Sequence, residues 1–271
     1  MIFDLHVHTN YSDGLLTPKQ VIDLAVLKGL DGIAITDHDT VDGIKSAIQY
    51  SKTIDKIYII PGIEFGCIYK DEEVHILGYF IDYKSSIIEQ VTDSLRQERI
   101  LRGLKIIDKV NSLGMKIDVD EVYKIAEEDY IGRPHIARVL VKHGYVSNVK
   151  EAFELYLNRG KPAYIERKTL SIVETIDLIH KLEGIAILAH PGVLKDNSII
   201  DYCIHMGIDG IEAIHSKHDS DSVKYLLEVA KQYGLIVTGG SDCHGEIIDG
   251  DYLLGKYYIN INHIPIMKGR I

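Results

Sequence analysis

Short apolar runs alternate with helical patterns along this chain, and the apolar runs keep ending on histidines or carboxylates. "IFDL" leads into His6 and His8, "GIAIT" into Asp37, His38 and Asp39, and "IYIIPGI" into Glu64. Later, "GIAILA" leads to His190, and "LIVTGGS" to Asp242 and His244. Strands that alternate with helices build parallel sheets or barrels, whose C-terminal strand ends gather on one rim, the usual place for an active site. Few folds other than an α/β barrel or open α/β sheet bring five such strand ends together. His75 belongs to a sixth strand, from which it is expected to face inward.

Turn and cap signals divide the chain. Thr17, Pro18 and Gln20 spell a capped helix start, and a second helix is expected over 40–53. Strands are expected over 57–69 and 72–80, separated by the turn-like "KDEE". From about Tyr83 to Leu170 the strand signal disappears. A long helix is expected from Ser85 to Leu113, with shorter ones near 118–128, 134–143 and 148–157. The alternation then returns, with helices over 171–183, 197–206 and 218–233 and a late strand in "LGKYYININ". The expected division is a barrel from 1–82 and 166–271, with an all-helical insertion over 83–165 covering the substrate site.

Composition narrows the partners. A net charge of −10 excludes a broad surface for long duplex nucleic acid, which needs clustered Lys and Arg. An anionic small substrate stays compatible, because bound divalent cations can reverse the local field. Three cysteines at unrelated spacings form no disulfide framework. With no leader pattern and no apolar run near the roughly 18 residues of a membrane span, a cytoplasmic enzyme without membrane contact is expected.

His6 and His8 stand two apart on a strand, so both side chains project the same way. Asp242 and His244 repeat the spacing and leave Cys243 on the opposite side, packed as a small hydrophobe. Imidazoles mixed with carboxylates suit Mn, Fe or Zn better than Mg or Ca, which prefer all-oxygen shells.

Taken jointly, "DLHVHTNYSDG", "AITDHDT", "GIEF", "EVHILGY", "AHPG" and "GGSDCHG" resemble the PHP (polymerase and histidinol phosphatase) family. The resemblance implies an irregular (β/α)7 TIM-like barrel with three divalent metal ions (Mn, Fe or Zn) on its C-terminal rim. It implies that His6, His8, Glu64 and Asp242 hold one ion, and that Asp13, His38 and His244 hold a second. Glu64 would share a third with His75 and His190. "GRPHIARVLVKHGYVSNVKEAFELYLNRGKPAY", residues 132–164, resembles the subgroup that dephosphorylates nucleoside 3′,5′-bisphosphates, some of which also trim short RNA from its 5′ end. That resemblance implies Arg133 and His135 as catalytic and substrate-binding residues. The planar fork of arginine suits phosphate. His218 matches a phosphate-contacting or proton-donating position, and Lys161 is a further candidate for the substrate rim.

The expected activity is therefore a metal-dependent phosphoesterase, in which a metal-bridging hydroxide attacks the phosphorus of a small nucleotide or of the 5′ end of a short oligonucleotide. The alternatives are a histidinol-phosphate phosphatase, a non-catalytic PHP metal-binding module and an amidohydrolase on the same barrel. Asp37 and Asp39 flank His38 and are open between orienting ligands and, for Asp39, capping a helix. Asp4 is expected in a supporting part, and His215 either beside the ligands or simply at a strand end. Tyr11 is open between base stacking and packing. "RQERILR", residues 96–102, is expected to be a solvated helical face. His143, His180, His205 and His263 are assigned no functional role.

Overall fold

The computed structural model describes residues 1–54, 57–126 and 131–271. The barrel strands are β1 (Ile2–Val7), β2 (Gly32–Ile35), β3 (Tyr58–Tyr69), β4 (Glu72–Tyr79), β5 (Ile185–Leu188), β6 (Gly210–His215) and β7 (Ile236–Gly240). They follow one another in that order around the sheet, and a two-residue tail strand, Ile259–Asn260, pairs with β1 on its other side. Parallel pairing joins β1, β2 and β3, and again β5, β6 and β7. β4 runs antiparallel to both neighbours, because the short turn after β3 folds it back as a hairpin. The sheet nearly closes at the rim, where Val7 bridges to Cys243 and the His8 amide donates to the Cys243 carbonyl at 3.0 Å. This mixed α/β barrel is the irregular TIM-like fold expected from sequence. The late strand is shorter than expected, since only Ile259 and Asn260 pair.

Six helices flank the barrel strands or lead into the insertion: α1 (Pro18–Leu27), α2 (Asp42–Ser51), α3 (Ser86–Ser112), α7 (Ile172–Lys181), α8 (Ser198–His205) and α9 (Ser220–Tyr233). The start signals operate as read. Thr17 and Gln20 form a reciprocal capping box before α1, Ser171 and Glu174 form another before α7, and Ser85 caps α3. Within the insertion lie α4 (Val119–Ala126), α5 (Arg133–Lys142) and α6 (Val149–Ala152). The last two residues of the helix expected over 118–128 lie outside the described residues. The helix expected over 148–157 changes character at Phe153, where a π-helical turn, Phe153–Leu157, replaces the α pattern.

Burial separates three cores. Phe3, Leu5, Ala34, Ile60, Leu77, Tyr79, Ile185 and Ile187 fill the barrel interior, which Ile261, Ile264 and Met267 of the tail plug from below. The alternate strand residues, such as Ile33, Ile63, Ile76 and Ile211, pack outward against the helices. A separate core inside the insertion gathers Ile106, Val110, Val122, Ile136, Leu140, Leu157 and Ala163. Among the described residues no helix is long and apolar enough to cross a membrane.

Candidate metal centre

Two strand irregularities aim the ligands. Between Asp4 and Val7 of β1 the pairing with β2 shifts by a residue, as in a β-bulge. Phe3 and Leu5 face the interior below the shift, and the inward parity then passes to His6 and His8 above it. The Tyr79 hydroxyl donates to the Leu5 carbonyl at this point, at 2.8 Å. A second shift on β6, between Glu212 and Ile214, lets Glu212 and His215 face the same site although they stand three apart. Gly240 makes the approach of β7 possible: a Cβ there would lie 2.4 Å from the His6 backbone nitrogen.

Glu64 is the hub. Its carboxylate lies 3.4 Å from His6 Nε2, 3.3 Å from His8 Nε2, 2.8 Å from His38 Nδ1, 2.8 Å from His75 Nδ1 and 3.1 Å from His190 Nε2. Asp242 faces the first pair, 3.6 Å from His6 Nε2 and 3.2 Å from His8 Nε2. Asp13 lies 3.3 Å from His244 Nε2 and 3.9 Å from His38 Nε2. The structure thus brings all nine expected ligands into one cluster. Three groups within it could each hold an ion: His6, His8 and Glu64; His8, Asp13, His38 and His244; and His38, Glu64 and His75.

The donor set fits divalent cations. Among the described residues, buried His6 Nε2, both nitrogens of His8, His38 Nδ1, His190 Nδ1, Asp13 Oδ1 and Glu64 Oε2 meet no hydrogen-bond partner. Burial without a partner costs roughly 1–3 kcal/mol per group, so so many in one place are matched to something that binds there. Burial holds His8 down to about 3, with His244 beside it adding to the effect. Burial also holds His190 at about 4, so both imidazoles keep a free lone pair. Burial would raise Glu64, but His38, His75 and His6 keep its carboxyl well below the usual range.

A fourth group, His6, Glu212 and His215, has ligand spacing but another chemistry. Glu212 lies 3.1 Å from His6 Nδ1, leaving Nε2 for the cluster. Its carboxylate also accepts the His190 amide at 2.9 Å, holding a residue whose backbone is left-handed at φ 31°. His215 Nδ1 accepts the Lys217 amide, which places the proton on Nε2, 3.6 Å from Asp242. Glu212 and His215 therefore orient ligands, a carboxylate–histidine arrangement common around metals. Sequence reasoning missed Glu212, which lies inside the strand pattern "GIDGIEAI" and not at the end of an apolar run.

Neighbouring acids hold the loops. Asp37 accepts from the Thr9 amide, the Thr9 hydroxyl and Ser12, fixing the loop that carries Asp13. Asp4 accepts from the amides of Ser241 and Gly255, fastening β1 to β7 and the tail, while burial pushes its carboxyl up to about 6. Asp39 neither caps a helix nor touches a ligand imidazole. Its Oδ2 is shared by Arg99 from α3, with Nε at 2.7 Å, and by Arg167, at 2.5 Å. Arg167 also donates to the Gly66 carbonyl, and a Cβ on Gly66 would lie 2.4 Å from that guanidinium.

The expectation of a solvated face over 96–102 is corrected here. Arg96 pairs with Asp42, Arg99 with Asp39, and Arg102 is buried, its Nε donating to the Ile165 carbonyl at 2.7 Å. A cleft of about 1090 Å³ opens from the metal cluster between the β3–β4 hairpin and the insertion. His75, His190, Arg102, Arg133, Arg159, Arg167 and Lys217 line it. Arg133 lies over the Phe153 ring and donates to Glu73 at 2.7 Å. His135, His218 and Lys161 do not line the cleft. The buried His135 accepts the Gly132 amide through Nδ1 and so shapes the start of α5. His218 donates through Nδ1 to the Ala213 carbonyl and accepts the Gly192 amide through Nε2. Lys161 is exposed, and Tyr11 is half-buried outside the cleft. Cys243 is buried in the outer core, as expected.

A family model described as the PHP domain matches residues 4–166. The chain belongs to the PHP family. This PHP chain is 33% identical over 248 residues to a 5′-3′ exoribonuclease of Haemophilus influenzae, covering 89% of each protein. It is 31% identical over 248 residues to a 3′,5′-nucleoside bisphosphate phosphatase of Chromobacterium violaceum, covering 89% of this chain and 86% of the relative. A crystal structure described as a metal-dependent phosphoesterase from Bifidobacterium adolescentis matches with a TM-score of 0.90 and 30% identity, over 99% of this chain and 96% of that one. The PHP chain is accordingly a hydrolase of the metal-dependent phosphoesterase class.

Proposed function

We propose that this phosphoesterase removes a phosphate monoester from a small nucleotide, a nucleoside 3′,5′-bisphosphate or the 5′ end of a short oligonucleotide. The observation that carries the reading is the Glu64 carboxylate with five imidazoles converging on it. In this reading His6, His8, Glu64 and Asp242 hold one divalent ion, and Asp13, His38 and His244 a second. Glu64 with His75 and His190 holds a third. When bound, such ions polarise phosphate oxygens and make water a usable nucleophile near neutral pH.

The chain's own groups do the positioning. Arg133, its plane held against Phe153, exchanges Glu73 for a substrate phosphate oxygen. His135 acts through the start of α5, which presents Arg133. His218 acts through Gly192, keeping the turn after His190 in place. Lys217, 2.8 Å from Asp242, adds positive charge on the same side of the cleft. A cleft of about 1090 Å³ exceeds the roughly 300–1,000 Å³ typical of small-molecule pockets and leaves room for more than one nucleotide.

The test is a comparison of substrates on metal-loaded protein. Turnover of adenosine 3′,5′-bisphosphate should far exceed turnover of histidinol phosphate. Preference for histidinol phosphate, or no hydrolysis of any phosphoester, would sink the assignment.

A further inference from the structure

One buried carboxylate ties the metal rim to both chain segments that join the insertion to the barrel. Asp39 directly follows His38, and its amide donates to the Glu64 carbonyl at 3.0 Å. Its Oδ1 accepts the Gly66 amide at 3.2 Å, two residues beyond Glu64 on β3. His38 and Glu64 are themselves bridged as neighbouring parallel strand ends. The Asp39 backbone is left-handed, with φ 53°, a conformation that a residue other than glycine keeps only where its surroundings fix it. A shift of the Asp39 side chain is therefore passed to two expected ligands through one short stretch of backbone.

The other oxygen faces the insertion. Oδ2 accepts from Arg99 on α3 and from Arg167, in the segment that returns the chain to α7. Arg99 stands where α3 changes cores. Ile88 and Leu95 before it pack in the outer core of the barrel, and Ile106, Ile107 and Val110 after it pack in the insertion. Arg167 also donates to the Gly66 carbonyl, so it grips Asp39 and β3 together. Arg102, one turn beyond Arg99, donates to the Ile165 carbonyl and holds the outgoing and returning segments side by side. All three members of the Asp39 cluster are largely shielded from water, where charge-assisted pairs are strong and fixed in geometry.

We propose that Asp39 is a positioning residue that couples metal loading of the rim to docking of the insertion. With His38 and Glu64 held by ions, the Asp39 turn is fixed, and its carboxylate holds Arg99 and Arg167. The docked arginines in turn keep the two ligands in place. The coupling is reciprocal, as linkage between two equilibria requires. It rests on the metal reading of the rim and goes beyond it. The cleft lies between the insertion and the β3–β4 hairpin, so it takes its working shape on the loaded protein.

The experiment uses the full chain, stripped by a chelator and reloaded with Mn²⁺, or with Zn²⁺ in parallel. It reads metal affinity by chelator competition, and amide hydrogen exchange over residues 106–110 with and without metal. In wild type, metal is expected to slow exchange there, although those residues supply no expected ligand. Arg99→Met and Arg167→Met should each weaken metal affinity by about 10-fold, inside the roughly 5- to 150-fold span of coupled sites. The slowing by metal should shrink in both variants. Arg99→Lys, which keeps the charge but not the fork, should recover part of the affinity. Unchanged affinity, in variants whose urea stability falls equally with and without metal, would make the cluster structural only and overturn the proposal. Arg138 on α5 is a second tether, donating to the Asp13 carbonyl at 2.9 Å. Slowing that survives intact in both arginine variants would pass the coupling to that tether and overturn the role of Asp39. Wild-type exchange that ignores metal also overturns it, and decides the matter if the variants do not fold. Wild type that binds neither ion refutes the metal reading, and the coupling with it.

Discussion

The rim of the barrel and the wall of the insertion both concentrate charge, but they settle it in opposite ways. On the rim, buried imidazole nitrogens and carboxylate oxygens point into a shared space and, among the described residues, meet no hydrogen-bond partner. On the wall, Asp39 is 2% exposed and its charge is shared between two guanidiniums. Charge satisfied inside the protein acts as structure, and charge left open is addressed to a ligand. Arg102 differs from both: its Nε donates to the Ile165 carbonyl, and among the described residues it pairs with no carboxylate. His38 and Asp39, adjacent in sequence, are where the two regions join.

The largest effect should come from emptying the open side. His8→Ala is expected to lower kcat by more than about 10³-fold, because several kcal/mol of metal stabilisation are lost. Metal analysis should show fewer bound ions, and the circular dichroism spectrum should stay unchanged. Retained activity would remove the rim from the reaction.

Breaking the satisfied side should cost stability first. Asp39→Ala takes away the carboxylate that Arg99 and the buried Arg167 share and is expected to destabilise the fold by about 3–5 kcal/mol in urea denaturation. The pH dependence follows in sign. Burial would raise the Asp39 carboxyl, but Arg167 and Arg99 hold it below its ordinary 3.8. Its contribution is therefore fully present above pH 3.8 and is lost as pH falls from there toward the folded value. Asp39→Asn should flatten that acid limb. An unchanged limb would mean that the pair carries no net stabilisation.

The smallest effect tests the boundary between the two regions. Glu212→Gln keeps its shape but weakens its hold on His6 and on the His190 amide. Metal affinity, measured by competition with a chelator, should fall by about 10- to 100-fold. Equal affinity would make Glu212 merely a buried acid of the barrel.

Much of the rim was legible because short side chains at strand ends go where the backbone sends them. His6, His8, Glu64, His190, Asp242 and His244 each follow an apolar run, and helix caps such as Thr17 and Ser171 mark the intervening helices. Glu212 lies within its strand, after "GIDGI", and carries no HxH or DxH spacing to single it out. The wall was illegible for a different reason. Arginine reaches far from its own backbone, so the helical pattern of "RQERILR" reads as solvated until the Asp39 turn and the Ile165 carbonyl are placed beside it. His218 shows the converse: its position after a strand suggested chemistry, and the backbone contacts of both ring nitrogens emerge only once Gly192 and Ala213 are neighbours.

The two offsets in β1 and β6 give the active-site end of the barrel a phase of its own. On β1 the inward residues before the offset, Phe3 and Leu5, are apolar, and those after it are His6 and His8; on β6 the offset follows Glu212 and turns His215 to the same site. Side-chain replacement leaves that phase untouched, whereas removal of one residue from either strand resets it for everything downstream. The direction in which these side chains point is therefore set by the residue count of the two strands, and relatives that keep the site's chemistry must keep the count as well as the identities.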